Sequence, residues 1–280
     1  MKIKVLADST CDLSKDLVEK LGLEIVPLTV IKDDQQYLDN ITITPAEIFA
    51  HVAAGGDLCS TTAVSIGEYQ DVFAKYTKEY DALIHINIGS GFSSSYQNAC
   101  LAAEEFDNVY VIDSQNLSTG QGLVVLEACR LANTATDMES VVAALNNYAS
   151  RVEASFLVDK LTYLVKGGRC SSAKALGANL LNLKPCIEVK GGKMVVGKKY
   201  RGNFNKSLPA YVKERLEGRE DLDLTNIFIT KTPVDDSCYA AVVEAVNTYG
   251  NFENVYKTDA GCTISCHCGP GTLGVLFVRK

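Results

Sequence analysis

The chain has 280 residues, 47% hydrophobic and 22% charged, enough to bury one large core or two ordinary ones and unlike the composition of a disordered segment. A formal net charge of −7 and a pI near 5.1 argue against a nucleic-acid partner, whose phosphates call for clustered Lys and Arg. Apolar runs such as 24–30 and 273–278 fall short of the roughly 18–20 residues of a spanning helix, and the opening Met1-Lys2-Ile3-Lys4-Val5 reads as a strand rather than an export signal, so a cytoplasmic protein without a membrane-spanning segment is expected.

In chain order, 2–7 is a β-type run ending in Asp8-Ser9-Thr10-Cys11-Asp12, after which Ser14 caps a helix over 16–21. A second strand is predicted over 23–31, then an exposed turn over 32–40. Thr44-Pro45-Ala46-Glu47 opens a helix, with Pro at its first position and Glu47 completing a capping box. Residues 55–65 form a hydroxyl-rich loop before a helix over 66–80, in which Tyr69, Phe73 and Tyr76 recur at helical spacing. The apolar run 82–88, the Gly/Ser loop 89–95 and the helically spaced segment after it read as strand, tight loop and helix. A strand over 108–113 and helices over 120–133 and 138–152 complete an alternation that implies a parallel sheet with crossover connections.

Beyond residue 152 the rhythm changes. Strands are predicted at 154–158, 185–189, 194–200, 224–230, 252–257, 262–266 and 272–278, with Lys190-Gly191-Gly192-Lys193 as a hairpin turn. Helices are predicted at 161–166, 173–183, 206–217 and 236–249. The expected fold is α/β in two domains: an N-terminal parallel-sheet α/β domain over 1–152 and a C-terminal α+β domain over 153–280 with a mixed or antiparallel sheet.

Ligands of open α/β sheets sit beyond the carboxyl ends of the strands. Asp8-Ser9-Thr10, Thr61-Thr62, 90–95 and Asp113-Ser114 all occupy such positions and are expected to converge on one crevice suited to an anion. Gly89-Ser90-Gly91 lacks the third glycine of a dinucleotide fingerprint and the lysine of a phosphate loop, and no nucleophile elbow is completed, so nucleotide binding and serine hydrolysis are both disfavoured. His51 falls in a helix and His85 inside an apolar strand, where structural roles are expected. His267 follows a predicted strand and precedes a glycine-rich turn, from which it can reach a cleft.

Ten cysteines in a chain without an export signal read as reduced thiols, and Cys59, Cys100, Cys129 and Cys186 sit beside apolar neighbours. Cys262, Cys266 and Cys268 around His267 raise a metal reading, but on an extended strand Cys266 and Cys268 point to one side and His267 to the other. Arg169, after Lys166-Gly167-Gly168, and Arg201 both stand in glycine turns, where they are solvated or serve a bound carboxylate.

With these residues in hand, the chain resembles the DegV family, lipid-binding proteins that include the fatty-acid-binding subunits of bacterial fatty acid kinase. The resemblance spans essentially the full length. It rests on Asp8-Ser9-Thr10-Cys11-Asp12-Leu13, Val26-Pro27-Leu28, Ser60-Thr61-Thr62-Ala63-Val64-Ser65, Ser90-Gly91-Phe92-Ser93-Ser94-Ser95-Tyr96, Lys166-Gly167-Gly168-Arg169 and His267-Cys268-Gly269-Pro270-Gly271-Thr272-Leu273-Gly274. Departures include Val64 in place of a usual proline and the cysteines Cys266 and Cys268 beside the histidine.

The resemblance implies a long-chain fatty acid in a tunnel between the two domains, its carboxylate meeting Thr61, Thr62, Ser93, Ser94, His267, Arg169 and Arg201. It further implies no cofactor or metal and no catalysis by this chain. A separate fatty acid kinase would phosphorylate the carboxylate to an acyl phosphate for phospholipid synthesis. The competing expectation is an enzyme acting on a small carbonyl or acyl substrate through His267 and a serine.

Overall fold

The structure, a computed structural model, describes residues 1–176 and 183–280. The first half runs β1 (Ile3–Asp8), α1 (Lys15–Leu21), β2 (Glu24–Val26), β3 (Thr29–Lys32), β4 (Gln35–Leu38), α2 (Pro45–Ala53), β5 (Ser60–Thr62), α3 (Ile66–Tyr76), β6 (Ala82–Asn87), α4 (Ser95–Ala103), β7 (Val109–Asp113), α5 (Thr119–Ala132) and α6 (Met138–Arg151). The second half runs β8 (Val152–Val158), α7 (Thr162–Gly167), α8 (Ser171–Lys174), β9 (Leu183–Lys190), β10 (Lys193–Arg201), α9 (Phe204–Leu216), β11 (Leu222–Lys231), α10 (Asp236–Tyr249), β12 (Asn254–Asp259), α11 (Cys262–Cys268) and β13 (Thr272–Arg279). Of the helix predicted over 173–183, residues 177–182 lie outside the described residues.

The expected mixed α/β architecture is present as two main sheets. β2-β1-β6-β7 is parallel throughout, as the strand and helix alternation implied. The second sheet, β10-β9-β8-β13-β11-β12, is antiparallel except for the parallel β11–β12 pair. α6 ends at Arg151 and β8 begins at Val152, so the chain passes from the layer behind one sheet directly into the other.

The layers follow from where the apolar faces are spent. α3 and α4 cover one face of the parallel sheet through Tyr69, Phe73, Ala99 and Ala102. α5 and α6 fill the space between the two sheets, where Leu123, Val124 and Leu145 meet Ile84 and Ile86 on one side and Phe228, Leu276 and Val278 on the other. Each such fully buried aliphatic side chain stabilises the fold by about 1.5–3 kcal/mol relative to exposure. α9 and α10 close the outer face of the second sheet through Leu208, Tyr211, Val242 and Val246.

Three local expectations are corrected. The strand predicted over 23–31 is divided in two: β2 joins the parallel sheet, while β3 pairs with β4 and β5 in a small antiparallel sheet. Pro27 stands at the break, where its missing N–H suits the end of a ladder. The turn predicted over 32–40 contains β4, folded back on β3 through Asp33 and Asp34, both at positive φ. The hydroxyl-rich loop contains β5, which sets Thr61 opposite Val30 and Thr62 opposite Thr29.

The remaining correction bears on the site. Residues 262–268 form the helix α11 rather than a strand. Thr, Cys, His and Ser are indifferent helix formers, so tertiary contacts rather than local propensity fix this conformation. Helical spacing puts Cys262 and Cys266 together against Val30, Ile43, Ile48 and Cys59. Thr263, Ile264, His267 and Cys268 share the opposite side, so His267 and Cys268 lie together and Cys266 lies away from them.

Candidate functional site

At one end of the two sheets, the serine loop after β6, the small sheet, α7 and α11 meet around a cavity. Its polar wall is made by Thr61, Thr62, Ser93, Arg169, Thr263 and His267, and its apolar wall includes Ile88, Phe92, Leu117 and Ile264. A second cavity runs between α5 and the second sheet, lined by Ala154, Phe156, Gly274 and Leu276 among others. Leu117, Ile264 and Cys268 line both cavities, so the two are neighbours across that waist.

His267 is delivered by the last turn of α11, and its Nε2 lies 2.8 Å from Thr61 Oγ1 on the edge strand β5. Burial, reinforced by the nearby Arg169 guanidinium, pushes its pKa down to about 4, so the ring is neutral at neutral pH. Its buried Nδ1 has no hydrogen-bond partner among the described residues. A neutral ring with its proton on Nε2 donates to Thr61, which leaves the threonine O–H free to donate onward.

The Lys166-Gly167-Gly168-Arg169 turn is explained by this ring. A Cβ at Gly167 would come 2.6 Å from His267 Nδ1, so only glycine leaves room there. Gly168, at φ +73, ends α7 in the left-handed conformation. The chain then returns Arg169 to the cavity, and its Nη1 donates to the Gly167 carbonyl at 2.7 Å.

On the opposite wall, Ser93 Oγ accepts from the backbone N–H of Ser95 at 3.1 Å and lies 2.9 Å from Ser95 Oγ. Ser93 thereby holds the first N–H of α4 from within the cavity wall. Thr263 carries no signal in the sequence, yet its Oγ1 is buried in the cavity wall without a partner among the described residues. Its signal is the helical i, i+4 relation to His267, invisible while the segment reads as a strand.

Of the seven residues expected at an anion, the cavity gathers Thr61, Thr62, Ser93, Arg169 and His267. Ser94 is exposed at the start of α4, and Arg201 is exposed at the end of β10 opposite Leu183; neither lines the cavity. Asp8-Ser9-Thr10 and Asp113-Ser114, expected to converge on the crevice, do not line it either. Ser9, Thr10 and Ser114 are buried with internal partners, and Asp113 accepts from Ser90 at 2.6 Å. His85 is fully buried with Nε2 3.1 Å from Asp8 Oδ1, a structural role.

All ten cysteines are free thiols. Burial raises Cys262 and Cys268 to about 12, which keeps them protonated at neutral pH. Among the described residues, no group of three or more His, Cys, Asp or Glu is arranged to hold a metal ion. No described helix is long and apolar enough to cross a membrane.

The threonines that reach the inner cavity do not make it polar. Thr230 Oγ1 lies 2.6 Å from Thr119 Oγ1 and 2.9 Å from Thr258 Oγ1, so these hydroxyls satisfy one another.

Comparison with known proteins gives a consistent result. A family model described as "Uncharacterised protein, DegV family" matches residues 2–280. A DegV domain-containing protein of Clostridium acetobutylicum is 31% identical over 283 residues, covering 100% of this chain and 99% of the relative. Among solved structures, a fatty-acid-binding DegV family protein from Thermus thermophilus is 31% identical with a TM-score of 0.90, covering 100% of both chains. A DegV lipid-binding protein from Thermotoga maritima is 28% identical with a TM-score of 0.84, again covering 100% of both. The chain belongs to the DegV family.

Proposed function

We propose that this protein binds a long-chain fatty acid and presents its carboxylate to a separate kinase, which converts it to an acyl phosphate for phospholipid synthesis. The observation that carries this reading is the pairing of two unlike cavities. A hydroxyl- and arginine-lined chamber adjoins an inner chamber of satisfied, apolar character across Leu117, Ile264 and Cys268. The first suits a carboxylate, which gains from charge-assisted hydrogen bonds, and the second suits an alkyl tail, worth about 0.8 kcal/mol per buried CH₂. The described binding of fatty acid by the Thermus relative supports it.

In this arrangement Thr61 donates to the carboxylate while His267 holds the threonine oxygen, Arg169 supplies the counter-charge, and Ser93, Thr62 and Thr263 add hydroxyls. Ser94 and Arg201 stand outside this contact set. The domains proposed to enclose the ligand are 1–152 and 153–280. Ten free thiols suit a reducing cytoplasm. A binding role is favoured over catalysis by His267 because no carboxylate orients its Nδ1 among the described residues, unlike the acid, base and nucleophile sets of hydrolases.

Native mass spectrometry of the purified protein tests the reading, with co-purified or added fatty acid expected as a one-to-one adduct. A spectrum without lipid and without uptake overturns it. Acyl phosphate formed only when a fatty acid kinase and ATP are supplied supports the presenting role. Turnover of acyl substrates by the isolated protein, abolished in His267→Ala, transfers the assignment to an enzyme.

A further inference from the structure

The segment Asp8-Ser9-Thr10-Cys11-Asp12 does not line the head-group cavity, yet it is buried and polar. Asp8 and Ser9 each hold the backbone N–H of a residue that lines the cavity, and Asp12 holds that of the residue before α11. Asp8 Oδ2 accepts from the N–H of Ile88 at 2.9 Å, at the entry to the serine loop. The same carboxylate is braced by Tyr69 Oη at 2.7 Å and Asn87 Nδ2 at 3.1 Å. Ser9 Oγ accepts from the N–H of Leu28 at 3.1 Å and donates to Asp39 Oδ2 at 2.8 Å. Ile88 and Leu28 both line the cavity.

The third contact reaches across 249 residues of sequence. Asp12 Oδ1 accepts from the N–H of Gly261, the residue before α11, at 2.9 Å, and Asp39 Oδ1 accepts from Cys262, the first residue of α11, at 2.8 Å. Ser118 donates to the other oxygen of Asp12. A Cβ at Gly261 would meet Asn40 Nδ2 at 2.5 Å and Asp12 Oδ1 at 2.9 Å, so the helix start is seated directly on these side chains. α11 in turn carries Thr263, Ile264, His267 and Cys268 into the cavity.

We propose that Asp8, Ser9 and Asp12 are positioning residues of the head-group site: without touching the ligand, they fix the serine loop, the approach to β3 and the His267 helix in one frame. This rests on the fatty-acid reading for its affinity consequence alone; the geometric consequence for His267 stands without it. A buried helix-start N–H that loses its acceptor is left with the desolvation cost of an unpaired donor, so loss of Asp12 frees the helix end rather than merely weakening it.

The test compares wild type, Asp12→Ala, Asp12→Asn and Gly261→Ala, with Glu153→Gln as a destabilised control that lines neither cavity. The readouts are the Kd for palmitate, the melting temperature and the His267 imidazole ¹³Cε1 signal in ligand-free protein. Asp12→Ala is expected to weaken palmitate binding at least tenfold and to move the His267 signal. Asp12→Asn keeps an oxygen for the Gly261 N–H, and Ser118 can reverse its hydrogen bond to the amide nitrogen, so it is expected to stay within threefold of wild type. Gly261→Ala is expected to behave as Asp12→Ala and serves in its place where that variant does not fold. Glu153→Gln is expected to lower the melting temperature with palmitate affinity unchanged. The frame is overturned if Asp12→Ala, or Gly261→Ala in its place, leaves the His267 signal unmoved, or if Asp12→Asn loses as much affinity as Asp12→Ala. Failure of wild type to bind any fatty acid overturns the functional reading instead, while the ligand-free His267 signal still decides the frame.

Discussion

His267 Nε2 and Thr61 Oγ1 lie 2.8 Å apart, joining α11 to the edge strand β5 across 206 residues of sequence. If the pair acts as one donor relay to a carboxylate, the two side chains are energetically coupled. Thr61→Val keeps the shape and removes the hydroxyl, and it is expected to weaken fatty-acid binding about tenfold, or about 1.4 kcal/mol. His267→Ala is expected to cost a similar amount. The double variant should lose less than the sum, with a coupling of about 1 kcal/mol read from a double-mutant cycle on Kd. Strict additivity would mean that each touches the ligand independently.

The glycine beside the ring offers a second test. A methyl at Gly167 would lie 2.6 Å from His267 Nδ1, with the ring wedged against the end of α7. Gly167→Ala is expected to shift the ring off Thr61 and weaken binding five- to thirtyfold, with a stability loss of about 1–3 kcal/mol from overpacking. Isothermal titration and thermal melts separate the two effects. Gly168→Ala acts differently: its Cβ meets nothing, but φ +73 strains any side chain, so stability falls while affinity is retained.

Much of this arrangement is legible in the sequence because it is written locally. Thr44 with Glu47 and Ser65 with Glu68 form the capping boxes that start α2 and α3, and the serine loop does connect β6 to α4. The strand-end rule brings Thr61 and Ser93 to one crevice, while the family resemblance adds Arg169 and His267 to it. What stayed hidden is what distant side chains decide. Residues 262–268 read as a strand because the carboxylates that hold their helix start, Asp12 and Asp39, lie 249 and 223 residues away in sequence. Thr263 and the waist residues Leu117 and Ile264 were missed for the same reason, since their shared wall exists only once α11 is a helix.

That waist makes a prediction about chain length. Leu117, Ile264 and Cys268 stand where the polar chamber meets the inner one. In wild type, each added methylene that passes the waist should tighten binding by about 0.8 kcal/mol, roughly fourfold in Kd. Ile264→Trp is expected to fill the passage, so that affinity stops improving with chain length while a short acid such as octanoate binds as in wild type. A fluorescence displacement series from C8 to C18 reads the slope directly. An unchanged slope in Ile264→Trp would place the tail elsewhere.

Stability should depend on acidity through Glu153 and His267, which lower it as the pH falls, and through the buried Asp12, which acts in the opposite direction. Glu153, at the start of β8, is partly buried, which works against its charge. The guanidiniums of Arg219, Arg215 and Arg279 outweigh that burial and hold its carboxyl below the ordinary value of 4.5. Its contribution is therefore present above about 4.5 and is lost as the pH falls through the lower folded value. His267 acts earlier: between 6.5 and about 4 the unfolded imidazole takes up a proton that the folded ring refuses, so this ring draws stability down over that interval, against the buried Asp12, whose folded value of about 8 makes it favour the fold as the pH falls toward 3.8. Urea melts from pH 7 to pH 3 should show His267→Gln raising stability near pH 5 relative to pH 7 more than wild type does, and Glu153→Gln flattening the decline below about 4.5. Glu153→Gln should also be less stable at pH 7 by about 1–3 kcal/mol, since three arginines lose their shared anion. A decline unchanged in both variants would mean that other carboxylates govern acid unfolding.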